Sequence, residues 1–246
     1  MSKTSRFAWA AAAGLATTVS LHAAVQPDTL QATGGAITIQ PIMHAAVQIR
    51  HGNQVITVDP TAMGGDYNAL PKADLILVTD IHQDHLDAAT AAKAAKPNAT
   101  ILAPMAAVAQ LKGATAIANG EKKTVGDVTV EAVAMYNLQR GPAAGQLFHT
   151  KGRGNGYIVT VGGKRLYFAG DTECIPEMKA LKNIDVAFVP MNLPYTMPPN
   201  EAADCVKAFK PKVVYPYHYM GSDLKVFSDA LNGSGVEVRV RDWYSK

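Results

Sequence analysis

The chain has 246 residues, 48% of them hydrophobic and 17% charged, which is enough apolar material for one large domain or two small ones. Its 23 basic residues nearly balance its 20 acidic residues, so no general basic field surrounds the chain and nucleic acid is not an expected partner. The sequence shows no internal repeat and no low-complexity linker.

The amino-terminal segment is typical of a secretory signal peptide. Lys3 and Arg6 form a short basic start, and residues 7–21 form an uncharged, alanine-rich apolar run. Small residues then allow cleavage after Ala23 or Ala24. The alternative is a membrane anchor, but the apolar run is short and weakly apolar for a span.

We therefore expect residues 1–23 to be a signal peptide and residues 24–246 to form one mature domain. The mature protein would be exported, either to the periplasm or to the medium, with no stable membrane anchor after cleavage.

The first half of the mature chain predicts a hairpin-rich start followed by alternating strands and helices. Turn residues and prolines separate the apolar runs, and a tight Gly126-Asp127 turn joins two of the strands. The predicted elements are strands at 36–41, 43–50, 55–59 and 74–79, a helix at 86–96, a strand at 100–103, a helix at 104–111, and strands at 115–118, 122–125 and 128–136.

The second half repeats this order after a long loop at 137–155. Long loops inside compact domains are usually functional. Two halves of this kind bury their apolar residues as an α+β fold, a four-layer αββα sandwich. The predicted elements are strands at 156–161 and 165–169, a helix at 176–181, a strand at 185–190, a helix at 201–210, a strand at 213–217, a helix at 224–231 and a strand at 236–241.

Potential metal ligands lie where predicted strands end. A strand end is rigid, and the turn beyond it can point several side chains at one spot, which is what a metal site requires. Four candidates fall within six positions directly after the apolar strand 74–79, and a further histidine lies in the long loop. The candidates are Asp80, His82, Asp84 and His85 in the first motif, His149 in the loop, Asp171 after strand 165–169, and His218 after strand 213–217.

This pattern resembles the metallo-β-lactamase fold superfamily of metal-dependent hydrolases. That family carries His-x-His-x-Asp-His after a strand, then a His, an Asp in a Gly-Asp-Thr-like strand end, and a last His. Residues 80–85 match the first motif except at Asp80, and His149, Gly170-Asp171-Thr172 and His218 match the others in order. Met43-His44 looks like the Gly-His feature of the branch that contains the ascorbate-6-phosphate lactonase and a phospholipase D. The resemblance covers nearly all of the mature chain.

The resemblance implies a hydrolase that uses a metal-bound hydroxide to attack an ester, lactone or phosphodiester bond of a small substrate. The expected cofactors are two divalent metal ions, Zn²⁺ by preference and Mn²⁺ or Fe as alternatives. Asp84 and His85 are the predicted catalytic residues. In this scheme one ion is held by Asp80, His82 and His149, the second by Asp84, His85 and His218, and Asp171 bridges both.

Asp80 departs from the family pattern, because most members have His at this position. A carboxylate is shorter, harder and negative, so it favours a harder metal than an all-histidine site would. It also leaves a single-metal enzyme open. Our hypothesis is that Asp80 is nevertheless a ligand, because it lies two residues from His82 and therefore on the same side of an extended chain.

Three further residues are predicted to contact the substrate: His44, Arg153 and Tyr195. For His44 the alternative is a structural role, and for Tyr195 it is packing. Arg153, with Lys151 and Arg140, would grip an anionic substrate group, and the alternative is a solvated loop. An anionic small molecule is therefore one expectation for the substrate.

Two functional alternatives and two structural questions stay open at this point. A β-lactam hydrolase and a non-hydrolytic metal-binding protein are the competing functions. Cys174 and Cys205 would be able to form a disulfide in an exported protein, although the helical spacing around Cys205 favours a buried small hydrophobe. The oligomeric state is also open.

Overall fold

Two seven-stranded β-sheets pack face to face in the computed structural model, which describes residue 1 and residues 26–244. The predicted signal peptide and its cleavage site lie outside the described residues, apart from Met1. Each sheet is built from one half of the chain in continuous order. This arrangement confirms the predicted αββα sandwich.

The first sheet contains strands β1 to β7, in sequence order across the sheet. Its first four strands are antiparallel neighbours, and β4, β5 and β6 run parallel. The elements are β1 (Asp28–Leu30), β2 (Ile37–Met43), β3 (Ala46–His51), β4 (Gln54–Val58), β5 (Ala73–Leu77), α1 (Ala88–Ala94), β6 (Ala95–Ala103), α2 (Met105–Val108) and β7 (Thr115–Ala116).

The second sheet contains β8 to β14, again in sequence order. Strands β8 to β11 are antiparallel neighbours, and β11, β12, β13 and β14 run parallel. The elements are β8 (Lys122–Val125), β9 (Val128–Met135), β10 (Gly154–Val161), β11 (Lys164–Phe168), α3 (Pro176–Lys179), β12 (Val186–Pro190), α4 (Pro199–Phe209), β13 (Val213–Tyr217), α5 (Leu224–Ala230) and β14 (Glu237–Val238).

Three apolar layers hold the sandwich together, and the period of two along the strands creates them. In β5 and beyond, Leu75 and Leu77 face the second sheet, while Ile76 and Val78 face the helices α1 and α2. In β12, Phe188 faces the first sheet, and its neighbours on either side pack under α3, α4 and α5. Strands buried on both faces read as continuous apolar runs, which is why they are recognisable in the sequence.

The parallel strands bring their carboxyl ends to one edge of the sandwich. A close contact there joins the two sheets, because Asn155 N–H donates to the Thr79 carbonyl oxygen at 2.8 Å. Gly170 has φ +64°, and a Cβ at this position would lie 2.4 Å from Met135 Sδ. Only glycine satisfies both the left-handed backbone and the close packing beside Thr79.

Several predicted boundaries differ from the observed ones for local reasons. The helix predicted to reach residue 96 ends at Ala94, because Pro97 disfavours helical backbone in the residue before it. The turn between the first two predicted strands falls at His44, whose φ of 56° reverses the chain. Strand β1 was not predicted, and β14 is only two residues long because it pairs with β13 over two positions.

Cys174 and Cys205 form a disulfide, with their Cα atoms 5.5 Å apart. The sequence interpretation of Cys205 as a small hydrophobe is therefore incomplete: its side chain is buried and also bonded. The bond ties the segment after Asp171 to helix α4. Separately, no helix within residues 26–244 has both the length and the apolar character needed to cross a bilayer.

Candidate metal centre

The seven predicted ligands converge at the edge where the parallel strands end. Backbone N–H groups of His85 and Leu86 both donate to the His82 carbonyl oxygen, at 3.0 and 2.8 Å, and close a turn directly after β5. His218 follows β13 with φ 46°, and its N–H donates to the carbonyl oxygen of His44. The β2–β3 turn and the end of β13 are thereby joined by a backbone hydrogen bond.

The ligand side chains fall into two groups in which all candidate ligand atoms lie within 4.8 Å of one another. We call them the outer group and the inner group. The outer group consists of Asp80, His82 and His149, and the inner group of Asp84, His85, Asp171 and His218.

Asp171 lies between the two groups with one oxygen directed at each. Its Oδ2 is 3.1 Å from His149 Nε2 in the outer group. Its Oδ1 is 3.2 Å from both His85 Nε2 and His218 Nε2 in the inner group. This is the placement that a bridging carboxylate requires, and the ligand role itself stays a prediction.

The hydrogen bond of His149 fixes its tautomer. Asn137 donates through its amide to Glu173 and to the carbonyl oxygen of Tyr195, so its Oδ1 is an acceptor. That oxygen accepts from His149 N–H and from the ring Nδ1–H, both at 2.7 Å. A neutral ring therefore presents only a lone pair at Nε2, toward Asp171.

His85 is held in the same way from the first sheet. Asp59, directly after β4, accepts from the N–H and hydroxyl of Thr79 at 2.8 and 2.7 Å, and from His85 Nδ1 at 2.9 Å. Because three donors converge on this carboxylate, it is an acceptor only. In a neutral ring the Nε2 lone pair of His85 faces Asp171 Oδ1 at 3.2 Å, whereas in a protonated ring Nε2–H faces the same oxygen.

These atoms fit a cation. His85 Nε2, His149 Nε2 and Asp171 Oδ1 are buried without a hydrogen-bond partner, although each such atom costs about 1–3 kcal/mol to bury unsatisfied. Lone pairs opposed at 3.1–3.2 Å repel unless positive charge lies between them. Imidazole nitrogens with carboxylate oxygens are the donors that zinc, manganese and iron take.

The pKa values of the inner group reflect the same demand for positive charge. Burial opposes ionisation of His85, yet Asp171 and Asp59 raise the pKa of its imidazole well above the ordinary value. Burial likewise opposes the charged form of Asp171, yet His218 and His85 hold its pKa well below the usual range. Protons and metal ions therefore compete for these atoms, and metal binding releases protons.

Asp80 is fully buried and is committed to two partners. Arg153 donates to both of its oxygens, from Nε at 3.2 Å and from Nη2 at 2.8 Å, and His82 Nδ1 lies 2.9 Å from Oδ2. Burial raises the pKa of Asp80, but the hydrogen bond from His82 and the charges of His85 and Arg153 lower it overall. The bidentate pair carries no net charge, so Arg153 offsets the negative charge by which Asp80 differs from the family's His.

Arg153 was expected to contact the substrate, but the structure places it on Asp80. The Nη1 group of Arg153 donates to the carbonyl oxygen of Phe148 at 2.8 Å. The other two cations of the loop are engaged as well. Lys151 pairs with Glu177 at 2.6 Å, and Arg140 pairs with Glu201 at 2.7 Å.

His44 is buried beside the inner group and bonds to it. An ionised Asp84 carboxylate can only accept, so a neutral His44 ring carries its proton on Nε2, and His44 Nδ1 accepts from the Tyr244 hydroxyl, 2.7 Å away, which itself accepts from Met220 N–H at 3.1 Å. His44 Nε2–H then donates to Asp84 Oδ2 at 3.1 Å. Burial lowers the pKa of His44, which is consistent with a neutral ring that orients the Asp84 carboxylate.

A pocket of about 380 Å³ opens above the two groups. His44 and Tyr195, two of the three predicted substrate contacts, line it, and the Tyr195 ring packs edge-on against Phe148 at 5.0 Å. Asp84 is the most accessible carboxylate of the ligand set, with its side chain 31% exposed against 0% for Asp80 and 3% for Asp171. Asp84 is therefore the candidate carboxylate most open to the pocket.

Three residues that orient the candidate ligands were missed by sequence reasoning. Asp59 directly follows β4, the strand next to β5. Its position at the same edge of the sheet as the ligand motif could have identified it from the sequence. Asn137 is the first residue of the predicted long loop at 137–155. Tyr244 lies 200 positions from His44, and no sequence pattern links the two.

An αββα sandwich with clustered His and Asp ligands at its strand edge defines a class of metal-dependent proteins, and comparisons with known proteins narrow it. Residues 38–218 match the family model described as a beta-lactamase superfamily domain. Over 220 residues the chain is 33% identical to a UPF0173 metal-dependent hydrolase of Symbiobacterium thermophilum, covering 83% of this chain and 92% of that protein. It is 31% identical over 192 residues to another from Thermococcus kodakarensis, covering 74% and 84%.

Solved structures agree with these sequence matches. The crystal structure of a proposed metal-dependent hydrolase from Parabacteroides distasonis is 40% identical, with a TM-score of 0.84, and covers 89% of this chain and 100% of that chain. A metallo hydrolase from Ignicoccus hospitalis, 22% identical over 83% of this chain and 94% of its own, shares the fold with a TM-score of 0.69. The chain therefore belongs to the metallo-β-lactamase superfamily of metal-dependent hydrolases. The lactonase-like or phospholipase D-like branch stays a prediction.

Proposed function

We propose that this protein is an exported hydrolase that binds two divalent metal ions and cleaves an ester, lactone or phosphodiester bond of a small substrate. The observation that carries the proposal is the position of Asp171, whose two oxygens face the Nε2 atoms of His149 and His85 on the floor of an open pocket. Divalent ions bound there supply Lewis-acid polarisation of the scissile oxygen and a water activated near neutral pH.

The residues of the chain have distinct parts in this proposal. Asp171 and His85 are buried, and Asp59 anchors the His85 ring, so these two side chains should hold their positions while substrate binds. Asp84 faces the pocket and accepts a hydrogen bond from His44, so it is placed to take or return a proton at its carboxylate. Asn192 and Tyr195 line the pocket and offer neutral polar groups for orienting a substrate.

The number and identity of the metal ions follow from the donor set. We propose one ion in each ligand group, with Asp171 shared, and zinc as the preferred metal because four imidazoles contribute. Arg153 offsets Asp80, which removes much of the reason for expecting a harder metal. Asp80→Ala provides the test of its ligand role: metal content measured by mass spectrometry should fall, and unchanged content with unchanged activity would contradict it.

Export is a separate part of the proposal. The signal-like segment at residues 1–23 and the Cys174–Cys205 disulfide both support it, since disulfides persist mainly outside the cytoplasm. Expression of the full chain, fractionation of the cells and sequencing of the mature amino terminus provide the test. Recovery in the cytoplasm with residues 1–23 intact would contradict export.

The hydrolase proposal is tested with metal-depleted protein reloaded with Zn²⁺, Mn²⁺ or Fe²⁺. Turnover of p-nitrophenyl esters, lactones and bis-p-nitrophenyl phosphate should depend on the metal and be lost in Asp171→Asn. Nitrocefin in the same panel reports on the competing β-lactam activity. Metal bound at full occupancy with no turnover across the panel would overturn the hydrolase proposal and favour a binding role.

A further inference from the structure

The walls of the pocket differ chemically from its floor. The floor carries the ligand groups, whereas Met63, Phe148, Tyr195 and Met220 line the space above them. Met63, Tyr195 and Met220 are 45%, 45% and 51% exposed, which places them among the most exposed large hydrophobic residues described. Exposed apolar side chains around a polar floor are typical of a ligand pocket rather than of packing.

Two of these side chains are methionines. Unbranched, polarisable side chains adapt their shape to different apolar partners, and methionine-rich walls recur at binding surfaces. Phe148 and Tyr195 pack edge to face, so they form a preformed aromatic part of the lining beside the flexible methionines. Together they offer a surface for an acyl chain or an aromatic ring.

Among the described residues, the walls of the pocket present no lysine or arginine to an anionic substituent of the substrate. The loop cations Arg153, Lys151 and Arg140 are paired with Asp80, Glu177 and Glu201. A carboxylate or phosphate that extends from the scissile group to the apolar walls would lose its hydration there without meeting a lysine or arginine.

We propose that the substrate carries an uncharged apolar group, an acyl chain or an aryl ring, directly beside its scissile bond, and that Met63, Phe148, Tyr195 and Met220 bind this group. The inference rests on the proposed hydrolase function and names its substrate class. It replaces the anionic substituent that the loop cations suggested in the sequence. Metal ions on the floor still engage the scissile carbonyl or phosphoryl oxygen itself.

The test compares substrates that differ only in the group beside the scissile bond. The mature, metal-loaded protein is assayed with p-nitrophenyl acetate, propionate, butyrate and pentanoate, and with the mono-p-nitrophenyl ester of glutaric acid. We expect kcat/KM to rise along the series by up to about fourfold per methylene. We expect pentanoate to exceed the anionic glutarate ester by about tenfold or more, mainly through KM.

Variants that place a lysine among the apolar lining residues provide a further test of the preference between the pentanoate and glutarate esters. Met220→Lys changes a half-exposed side chain, so the fold should tolerate it, and it should shift the ratio toward the glutarate ester by about tenfold. Met63→Lys serves as a second variant in the lining. Met105→Lys is the matched control, since Met105 is 75% exposed on α2 and does not line the pocket.

The outcomes separate this inference from the proposed function. Metal-dependent turnover that prefers the glutarate ester, or that ignores chain length, overturns the apolar substituent and leaves the hydrolase proposal standing. If the protein cleaves only phosphodiesters, butyl and 3-carboxypropyl p-nitrophenyl phosphates replace the ester pair with the same expected order. Absence of turnover on every substrate overturns the proposed function and this inference with it.

Discussion

The two ligand groups differ in how firmly their side chains are held. In the inner group the three residues Asp84, His85 and His218 lie against Asp171, and His85 is anchored to Asp59. In the outer group the His82 side chain is 42% exposed, and Asp80 is already paired with Arg153. The number of ligands alone does not set the affinity for a metal ion, because a preorganised set of donor atoms binds the ion with less reorganisation of the protein. We expect the inner group to bind its ion more tightly.

Loss of the shared carboxylate should have the largest effect. Asp171→Asn removes the charge that faces both groups, so we expect neither ion to bind stoichiometrically and hydrolysis to disappear. Inductively coupled plasma mass spectrometry of purified protein measures the metal content. Asp204→Asn, at an exposed pair with Lys207, is the control, and retention of both ions in Asp171→Asn would contradict the bridging role.

Removal of the inner anchor should come next. Asp59→Ala frees the His85 ring and leaves buried Thr79 donors unpaired, so we expect affinity for the inner ion to fall about 10- to 100-fold. The free energy of unfolding should also fall, by about 1–3 kcal/mol for each unpaired donor. Chelator competition and thermal unfolding measure the two effects. An unchanged affinity for the inner ion in Asp59→Ala would contradict the expectation that the inner group binds its ion more tightly than the outer group.

The Asp80–Arg153 pair offers a prediction in which the loss of stability is large without metal and smaller with metal bound. Arg153→Ala leaves a buried carboxylate unpaired, and we expect the metal-free protein to lose about 3–5 kcal/mol of unfolding free energy. A divalent ion in the outer group should restore much of this loss, so added Zn²⁺ should raise Tm more in the variant than in the wild type. Arg153→Lys, which keeps the charge, is the control. Equal metal-induced shifts would show that the ion does not approach Asp80.

The outer anchor should affect only its own group. Asn137→Ala removes the acceptor for His149 Nδ1–H, and we expect outer-ion affinity to fall about tenfold while inner-ion affinity is retained. Titration of metal-free protein, read by calorimetry, should then resolve two sites further apart than in the wild type. If both affinities fall together, the groups act as one unit and the comparison between them fails.

The smallest effect is expected at the carboxyl-terminal tyrosine. Tyr244→Phe removes the donor to His44 Nδ1, which loosens the orientation of Asp84 without removing a ligand. We expect kcat to fall by up to about tenfold with metal content unchanged. Tyr136→Phe, whose hydroxyl bonds Glu177 away from the pocket lining, is the control. A loss of metal in Tyr244→Phe would assign it a structural role instead.

Much of the architecture is readable from the sequence. Apolar runs such as 74–79 predicted buried strands, and the αββα sandwich followed from their order. The types and spacing of the candidate ligands also came from the sequence, because local geometry fixes where the residues directly after a strand end are placed. The family membership is confirmed, whereas the ligand roles, the metal identity, export and the substrate stay predictions.

The tertiary structure decided the pairings between distant residues. Arg153 lies 73 positions from Asp80, and Tyr244 lies 200 from His44, so only the packing of the two sheets brings them together. The Cys174–Cys205 disulfide and the ion pairs of Lys151 and Arg140 likewise join residues that are distant in the sequence. A sequence shows which charges and donors are available, whereas their partners depend on through-space distances that the sheet packing sets. For this reason the sequence predicted a metal-binding fold, and the structure decided that Arg153 offsets the unusual carboxylate and that apolar side chains line part of the pocket beside the candidate ligands.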